Sequence, residues 1–214
     1  MQSSGKLWSG LLLFSLLGLL AGPVIADNMR YALDPTHTQV SVHWDHLGFS
    51  NPGAYFVISE GTLIWNNEDP SESSIKVKIP VHRLTTQVPA LDKLLKSDFF
   101  EADEYPTITF ASTRVERIGQ SDDYRIAGDL TVHGITRPVM LHATLNRIGE
   151  HPLLQAPAIG FDAKATIKRS EFGMEEYVPM VSDLVQIRIT GEGLAPEALA
   201  KELAGQEAML EEMD

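Results

Sequence analysis

Cysteine is absent from the 214-residue chain, and its absence excludes several kinds of protein. No disulfide can hold the fold together, no thiol can act as a nucleophile, and no cysteine is available to carry the lipid of a lipoprotein. A domain of this size does not need a disulfide, because it buries about 70% of the surface that its unfolded chain exposes.

Basic residues are scarce. The chain has 17 lysines and arginines against 29 aspartates and glutamates, which gives a formal net charge of −12. Such a surface repels phosphate backbones, and no basic cluster stands out, so we expect no nucleic-acid partner. Charge would not attract the chain to anionic lipid headgroups either. Part of the excess acid lies in residues 197–214, where it favours solubility.

Signatures of catalysis are also missing. There is no Gly-x-Ser-x-Gly elbow and no glycine-rich loop of the kind that holds a phosphate. The acidic residues of segment 98–104 occupy one short stretch, whereas glycosidic chemistry needs two carboxyl groups about 5–9.5 Å apart across a cleft. The sequence therefore predicts that the chain is not an enzyme.

The first residues have the three parts of a secretory signal. Lys6 supplies a positive start, Leu7–Leu20 is almost uninterruptedly apolar, and Ala26 offers a small residue for cleavage. The apolar run is shorter than the ~20 residues that a membrane-spanning helix requires. We predict that residues 1–26 are removed, that the mature chain starts at Asp27, and that the protein is periplasmic.

Alternation of apolar and polar residues recurs along the next segment, 27–194, and is typical of half-buried strands. Ile75, Val77 and Ile79, for example, alternate with lysines and Pro80, and the proline predicts an edge, a bulge or a strand end. Segment 133–138 is predicted to be a tight connection between two strands. Eight strands are predicted, and their alternating segments are residues 40–44, 55–65, 75–81, 107–117, 124–132, 139–145, 159–167 and 185–189.

Connections this short predict antiparallel neighbours, and eight such strands with one apolar face close most economically into a barrel. We therefore predict an all-β fold, an eight-stranded antiparallel barrel forming a single domain over residues 27–194. A barrel of this size has room for packed side chains or for one slender ligand.

Two helices accompany the predicted barrel. A short helix over 89–96 begins at Pro89, a residue suited to a first helical position. A second helix, from Pro196 to about Met213, lies in an acidic tail, residues 195–214. The tail helix could pack on the barrel or remain loose.

Short motifs follow one another in a specific order through residues 30–194. They are Tyr31-x-Leu-Asp-Pro-x-His37, His46-Leu-Gly-Phe49, Gly53-x-x-Phe56, Leu95-Lys-Ser-Asp98-Phe99-Phe100, Tyr105-Pro106-x-x-x-Phe110, Gly128-Asp-Leu-Thr-Val-His-Gly-Ile-Thr-Arg-Pro-Val139, Arg169-Ser-Glu-Phe-Gly173 and Val181-Ser-Asp-x-Val185. In their order and spacing the chain resembles the YceI-like proteins, a lipocalin-like group associated with polyisoprenoid binding.

The resemblance implies a lipocalin-like barrel around an apolar tunnel, with no catalytic residues and no cofactor beyond a bound lipid. The implied function is periplasmic binding, storage or transport of a long apolar lipid, either a polyisoprenoid or a fatty-acid derivative. The alternative is a stress-related protein-interaction scaffold without a lipid. Expected partners are the lipid, a membrane or membrane protein in transient contact, and a second copy in a homodimer.

Candidate tunnel residues are the large apolar side chains of the predicted strands and loops. On their own they are typical of any barrel core, and only the resemblance favours a role in ligand binding. They are Val42, Trp44, Phe49, Phe56, Phe99, Phe110, Phe161 and Phe172.

Two residues are candidates for contacting a polar head group. His46 is either a hydrogen-bonded core histidine or a donor to the head group, and Arg137 either contacts the head group or only stabilises a turn. A metal site at His37, His43 and His46 is not predicted, because positions 43 and 46 of a strand point to opposite faces.

Overall fold

The computed structural model describes residues 28–212. The predicted signal segment 1–26 and its cleavage point before Asp27 lie outside the described residues, as does Met213 at the predicted end of the tail helix.

Ten strands form one sheet in which all neighbours are antiparallel, as the short connections predict. They are β1 (Met29–Leu33), β2 (Gln39–His43), β3 (Gly53–Val57), β4 (Glu60–Trp65), β5 (Ser74–Pro80), β6 (Thr107–Arg117), β7 (Asp123–Val132), β8 (Ile135–Glu150), β9 (Pro157–Lys168) and β10 (Leu184–Leu194).

The sheet closes into a barrel of eight strand positions, which confirms the predicted fold. β1 and β2 are two halves of one bent strand, since both pair with β10. β3 and β4 form the next bent strand, pairing with β2 and β1 respectively. The barrel closes where Ala32 faces Leu194 and Leu33 faces Gly193. β1 was not predicted from the sequence, because its residues Met29–Leu33 do not alternate cleanly between apolar and polar side chains.

A polar turn bends the first strand between β1 and β2. The Asp34 carboxylate is buried and accepts hydrogen bonds from the backbone N–H and the hydroxyl of Thr36, both at 2.7 Å. Its other oxygen lies 2.7 Å from Nδ1 of His37. The turn is thus held by its own side chains, a common use of aspartate where the backbone leaves a sheet.

The alternating strand direction sorts the connections into two ends of the barrel. Segments 44–52, 81–106, 133–134 and 169–183 lie at one end, which we call the mouth end. Segments 66–73, 118–122 and 151–156 lie at the opposite end, which we call the base end.

The β7–β8 connection is shorter than the predicted segment 133–138. Only His133 and Gly134 lie outside the strands, and both have positive φ angles, 50° and 69°. Such angles are those of a two-residue type I′ turn, which matches the twist of the flanking strands. Pro138 lies within β8, opposite Asp129 of β7, where β9 does not pair with β8. A proline is tolerated on that unpaired edge.

Both predicted helices are present. α1 (Pro89–Leu94) continues into a π-helical turn, Leu95–Phe99, so the helical segment is longer than predicted. α2 (Pro196–Glu211) begins at the base end and packs against β1, and its Leu199 is buried. Within residues 28–212, no helix combines the length and apolar character needed to cross a membrane.

Candidate functional site

The barrel encloses a cavity of about 640 Å³. This volume lies within the ~300–1,000 Å³ typical of small-molecule sites. Every strand except β4 contributes inward-facing residues to the wall, such as Val40 and Val42 from β2 or Ile187 and Ile189 from β10. The wall is therefore almost wholly apolar, as period-2 patterning with one face toward the interior requires.

The base end of the cavity is closed by packed aromatic side chains. The rings of Trp65 and Tyr124 meet edge to face with centroids 5.0 Å apart, and both residues are buried. A small void of about 40 Å³ lies next to them and shares Ile75, Ala143 and Phe161 with the wall of the main cavity. Ala143 and its neighbours thus mark the deepest level of the cavity.

At the mouth end, several residues that line the cavity are also exposed at the surface. They are Leu47 of the β2–β3 loop, Leu94 of α1, and Tyr177 and Met180 of the β9–β10 loop. The cavity wall and the surface are continuous there, so the cavity opens to the solvent at this end.

Two loops of the mouth end are tied together by His133 of the β7–β8 turn. Its Nε2 lies 3.1 Å from a carboxylate oxygen of Glu101, and its Nδ1 lies 3.2 Å from the carbonyl oxygen of Phe172. Tyr105 packs edge to face on the imidazole at a centroid distance of 4.7 Å. These contacts fix the segment after α1 to the start of the β9–β10 connection.

Most of the candidate tunnel residues line the cavity together. Those that do are Val42, Trp44, Phe56, Phe99, Phe110 and Phe161. The strand residues among them are placed by alternation. Phe99, which comes from the π-helical turn, has its ring centroid 6.4 Å from that of Tyr177.

Phe49 and Phe172 do not line the cavity. Phe49 is 91% exposed at the tip of the β2–β3 hairpin, where Leu47 and Gly48 have positive φ angles and the alternation of the strand no longer applies. Phe172 is fully buried, but it lies in the 3₁₀ turn Arg169–Phe172 rather than on a strand face that reaches the cavity.

Only one of the two head-group candidates lies on the cavity wall. His46 lines the cavity at the mouth end and is exposed, so it is not a buried core histidine. Arg137 lies on β8, is exposed, and donates a hydrogen bond to the carbonyl oxygen of its neighbour Thr136. Arg137 is not among the cavity-lining residues, although it lies two positions before Val139 on the same face of β8 and pairs with Leu130, which does line the cavity. It lies at the mouth end, where β8 begins and the side chain is exposed to solvent.

Arg169 lines the cavity, and the sequence analysis gave it no role. It is 7% exposed and donates four hydrogen bonds to backbone carbonyl oxygens of the β9–β10 segment. Burial lowers the pKa of Arg169, while the negative charges of Asp183 and Glu176 oppose that shift. The signal that could have singled it out is an arginine that directly follows an alternating apolar strand.

The histidines of the first motifs are not gathered around a common point. Among residues 28–212, no three histidine, aspartate or glutamate side chains are arranged to hold a metal ion. His37 instead contacts Asp34, as described above, and that contact raises the pKa of His37 despite the opposing effect of burial.

Comparisons with known proteins agree with this architecture. A family model described as "YceI-like domain" matches residues 31–193. Protein YceI of Escherichia coli is 33% identical over 184 residues, which are 86% of this chain and 95% of that protein. A UPF0312 protein of Photorhabdus laumondii is 31% identical over 188 residues, which are 84% and 96% of the two chains.

Solved structures share the barrel. That of BcnA from Burkholderia cenocepacia has a TM-score of 0.67 at 22% identity, covering 75% of this chain and 98% of that one. A YceI protein of Campylobacter jejuni gives 0.60 at 27% identity, with coverages of 70% and 88%. A polyisoprenoid binding domain from Saccharophagus degradans gives 0.62 at 14% identity, with coverages of 78% and 98%.

Proposed function

The chain belongs to the YceI-like domain family, and on that premise we propose that its barrel binds one long apolar lipid, a polyisoprenoid or a fatty-acid derivative. The observation that carries the proposal is the cavity of about 640 Å³ with its apolar wall. A barrel that acted only as a scaffold would gain stability by filling that space, since unfilled cavities are destabilising. The name of the Saccharophagus degradans domain, which is said to bind a polyisoprenoid, supports the same ligand class.

The affinity comes from burial of the lipid chain. At about 0.8 kcal/mol for each buried methylene, ten methylenes contribute about 8 kcal/mol before the costs of ordering the ligand are subtracted. We propose His46, which lines the cavity at the mouth end, as a contact for the polar head of the lipid. Binding rather than catalysis is the proposed activity.

The proposed site of action is the periplasm, in line with the signal-like residues 1–26. Cell fractionation followed by an intact-mass measurement tests this proposal. A periplasmic species that begins at Asp27 supports it, and a full-length, membrane-bound species contradicts it.

We further propose that the lipid is exchanged with a membrane at the mouth end. Phe49 is 91% exposed and Met180 is 63% exposed, and Leu47, Leu94 and Tyr177 of the same end are also exposed. Large apolar side chains gathered around an apolar entrance are typical of a surface that contacts another apolar phase. The homodimer expected from the sequence stays a prediction, which light scattering of the purified protein tests.

Native mass spectrometry of protein purified from its host tests the central proposal, with a retained long-chain lipid as the expected result. The matched variants are Val42→Phe, which fills the cavity, and Val57→Phe, which makes the same change on the outer face of β3. Val42→Phe should weaken lipid binding by about tenfold, or ~1.4 kcal/mol, and thereby lower the occupancy, whereas Val57→Phe should change neither. Equal occupancy in both folded variants would contradict a ligand inside the barrel.

A further inference from the structure

Arg169 brings a positive charge into the wall of an otherwise apolar cavity. It opens the 3₁₀ turn that follows β9, and its guanidinium carbon lies 5.9 Å from the centroid of the Phe99 ring. Both residues line the cavity. The charge therefore lies near the mouth end, where the cavity opens to the surface.

The hydrogen bonds of Arg169 go only to neutral partners. Nε donates to the carbonyl oxygen of Ser182 at 3.0 Å, and Nη1 donates to that of Met174 at 2.6 Å. Nη2 donates to the carbonyl oxygens of Glu176 at 2.8 Å and Val181 at 3.1 Å. A guanidinium has five N–H groups, so these bonds orient the side chain but leave its net charge in place.

A carboxylate does not neutralise that charge by direct contact. Among the described residues 28–212, Arg169 forms no salt bridge. The nearby carboxylate of Asp183 instead accepts hydrogen bonds from the backbone N–H and the hydroxyl of Ser170, both at 2.9 Å. The carboxylates of Asp183 and Glu176 act on Arg169 only through space.

The rest of the described cavity wall holds no lysine, aspartate or glutamate. His46 is the other titratable base on the wall, and it is exposed. A buried charge is costly unless it meets an opposite charge, and electrostatic interactions are stronger where water is excluded. An anion in the cavity would thus be attracted to Arg169, whereas a cation would be repelled and would find no acidic partner on the wall.

We propose that Arg169 makes the mouth end of the cavity a subsite for an anionic head group, a carboxylate or a phosphate, carried on a long apolar chain. This inference rests on the proposed lipid-binding function. The chain extends from the subsite toward Ala143 at the deep end, and the head group stays beside Arg169 and His46. The protein then selects lipids by the charge of the head group as well as by the length of the chain.

The test compares ligands that share one chain and differ in their head groups. Palmitate, hexadecyl phosphate, hexadecanol and hexadecylamine each displace a fluorescent acyl probe from the full-length wild-type protein at neutral pH. The two anions should bind at least tenfold more tightly than the alcohol, equivalent to about 1.4 kcal/mol, and the amine should bind most weakly.

Three variants assign the preference to Arg169. Arg169→Gln removes the charge, and Arg169→Lys keeps the charge but not the geometry of the carbonyl bonds. Arg188→Gln removes an exposed arginine on the outer face of β10, between cavity-lining Ile187 and Ile189. The preference for palmitate over hexadecanol should fall to about onefold in Arg169→Gln, persist in part in Arg169→Lys, and remain complete in Arg188→Gln.

The outcomes separate this inference from the proposed function. Equal affinity of the wild-type protein for palmitate and hexadecanol would overturn the anionic subsite and leave lipid binding intact. An unchanged preference in a folded Arg169→Gln variant would also overturn it. Failure of the acyl probe and of every long-chain ligand to bind the protein would overturn the lipid-binding function itself. The wild-type ligand series decides the question even where Arg169→Gln does not fold.

Discussion

Nδ1 of His37 lies 2.7 Å from Oδ2 of Asp34, and this pair links the two halves of the bent first strand. The contact shifts the pKa values of the two side chains in opposite directions. The hydrogen bond to Asp34 raises the pKa of His37 above 6.5. Burial alone would raise the pKa of Asp34, but the bonds from His37 and Thr36 outweigh it and hold that pKa below 3.8.

The stabilisation from this pair should therefore depend on pH. The contribution of His37 to the free energy of unfolding is complete below about pH 6.5. It is lost as the pH rises through the higher pKa that His37 has in the folded state. The contribution of Asp34 to the free energy of unfolding is present above about pH 3.8. It is lost as the pH falls through the lower pKa that Asp34 has in the folded state. The pair should stabilise the fold most between these two values.

Asp34→Asn tests the pH dependence. We expect the difference in free energy of unfolding between wild type and variant to be largest near pH 5 and smaller at pH 8. The pH-dependent part should stay below about 1 kcal/mol, because His37 is 58% exposed and solvent screens the pair. Urea unfolding across the pH range measures it, with His37→Gln as the reciprocal variant. A difference that does not vary with pH would contradict the assignment.

The depth of the cavity should set the preferred chain length. Ala143 belongs to the deep wall, so Ala143→Leu should shorten the space available to the ligand. Loss of room for two methylenes would weaken binding of a palmitoyl probe by about 1.6 kcal/mol, or roughly fifteenfold, and leave an octanoyl probe unaffected. Titration of both probes measures the ratio. The control is Ala127→Leu, because Ala127 follows inward-facing Ile126 on β7 and therefore lies on the outer face of the barrel. Equal losses of affinity for the palmitoyl and octanoyl probes in Ala143→Leu would argue against a depth limit.

Exchange with a membrane should depend on the apolar tip of the β2–β3 hairpin. Phe49→Ser should slow transfer of a fluorescent lipid from phosphatidylcholine vesicles by about tenfold, because a buried phenylalanine contributes roughly 1.5–3 kcal/mol. Affinity for the free probe should not change, since Phe49 does not line the cavity. Leu153→Ser is the matched control, because Leu153 is 85% exposed at the base end. Equal transfer rates for the two variants would rule out docking through the mouth end.

Removal of the tail after Leu194 should leave lipid affinity nearly unchanged. None of the described tail residues, 195–212, lines the cavity, and α2 starts at the base end. Loss of the buried Leu199 should lower the free energy of unfolding by about 1.5–3 kcal/mol. Titration of the probe measures the affinity, with wild-type and truncated samples that contain the same fraction of folded protein. Unchanged affinity with faster release would identify the tail as a lid, and a tenfold loss of affinity would mean that it contacts the ligand.

Local patterns in the sequence predict much of the barrel. Val42 and Trp44 alternate with polar neighbours, and the structure places both on the cavity wall. The bend at Asp34 was not predicted, because it depends on hydrogen bonds within a turn rather than on apolar alternation. Two-residue turns such as His133–Gly134 are likewise set by backbone angles that the alternation does not encode.

The candidate site was predicted less completely than the barrel. Phe49 and Phe172 are aromatic like Phe110, but side-chain type alone does not show which of them lies in a hairpin tip or beneath a 3₁₀ turn. Arg169 was not predicted as a site residue because its contacts run to carbonyl oxygens up to 13 positions along the chain. Only the three-dimensional path of that loop brings those oxygens around the guanidinium.

Closure of the barrel has a consequence for how the chain folds. The seam joins β1 to β10, the first strand to the last, through contacts such as Leu33 opposite Gly193. Contacts so distant in sequence require closure of a long loop, and β-rich domains dominated by such pairings fold in about milliseconds to seconds. A nascent chain that ends before β10, that is before Leu184, keeps an open sheet with two unpaired edges, which other chains can extend. Completion of the last strand is thus the step that removes both open edges and closes the barrel.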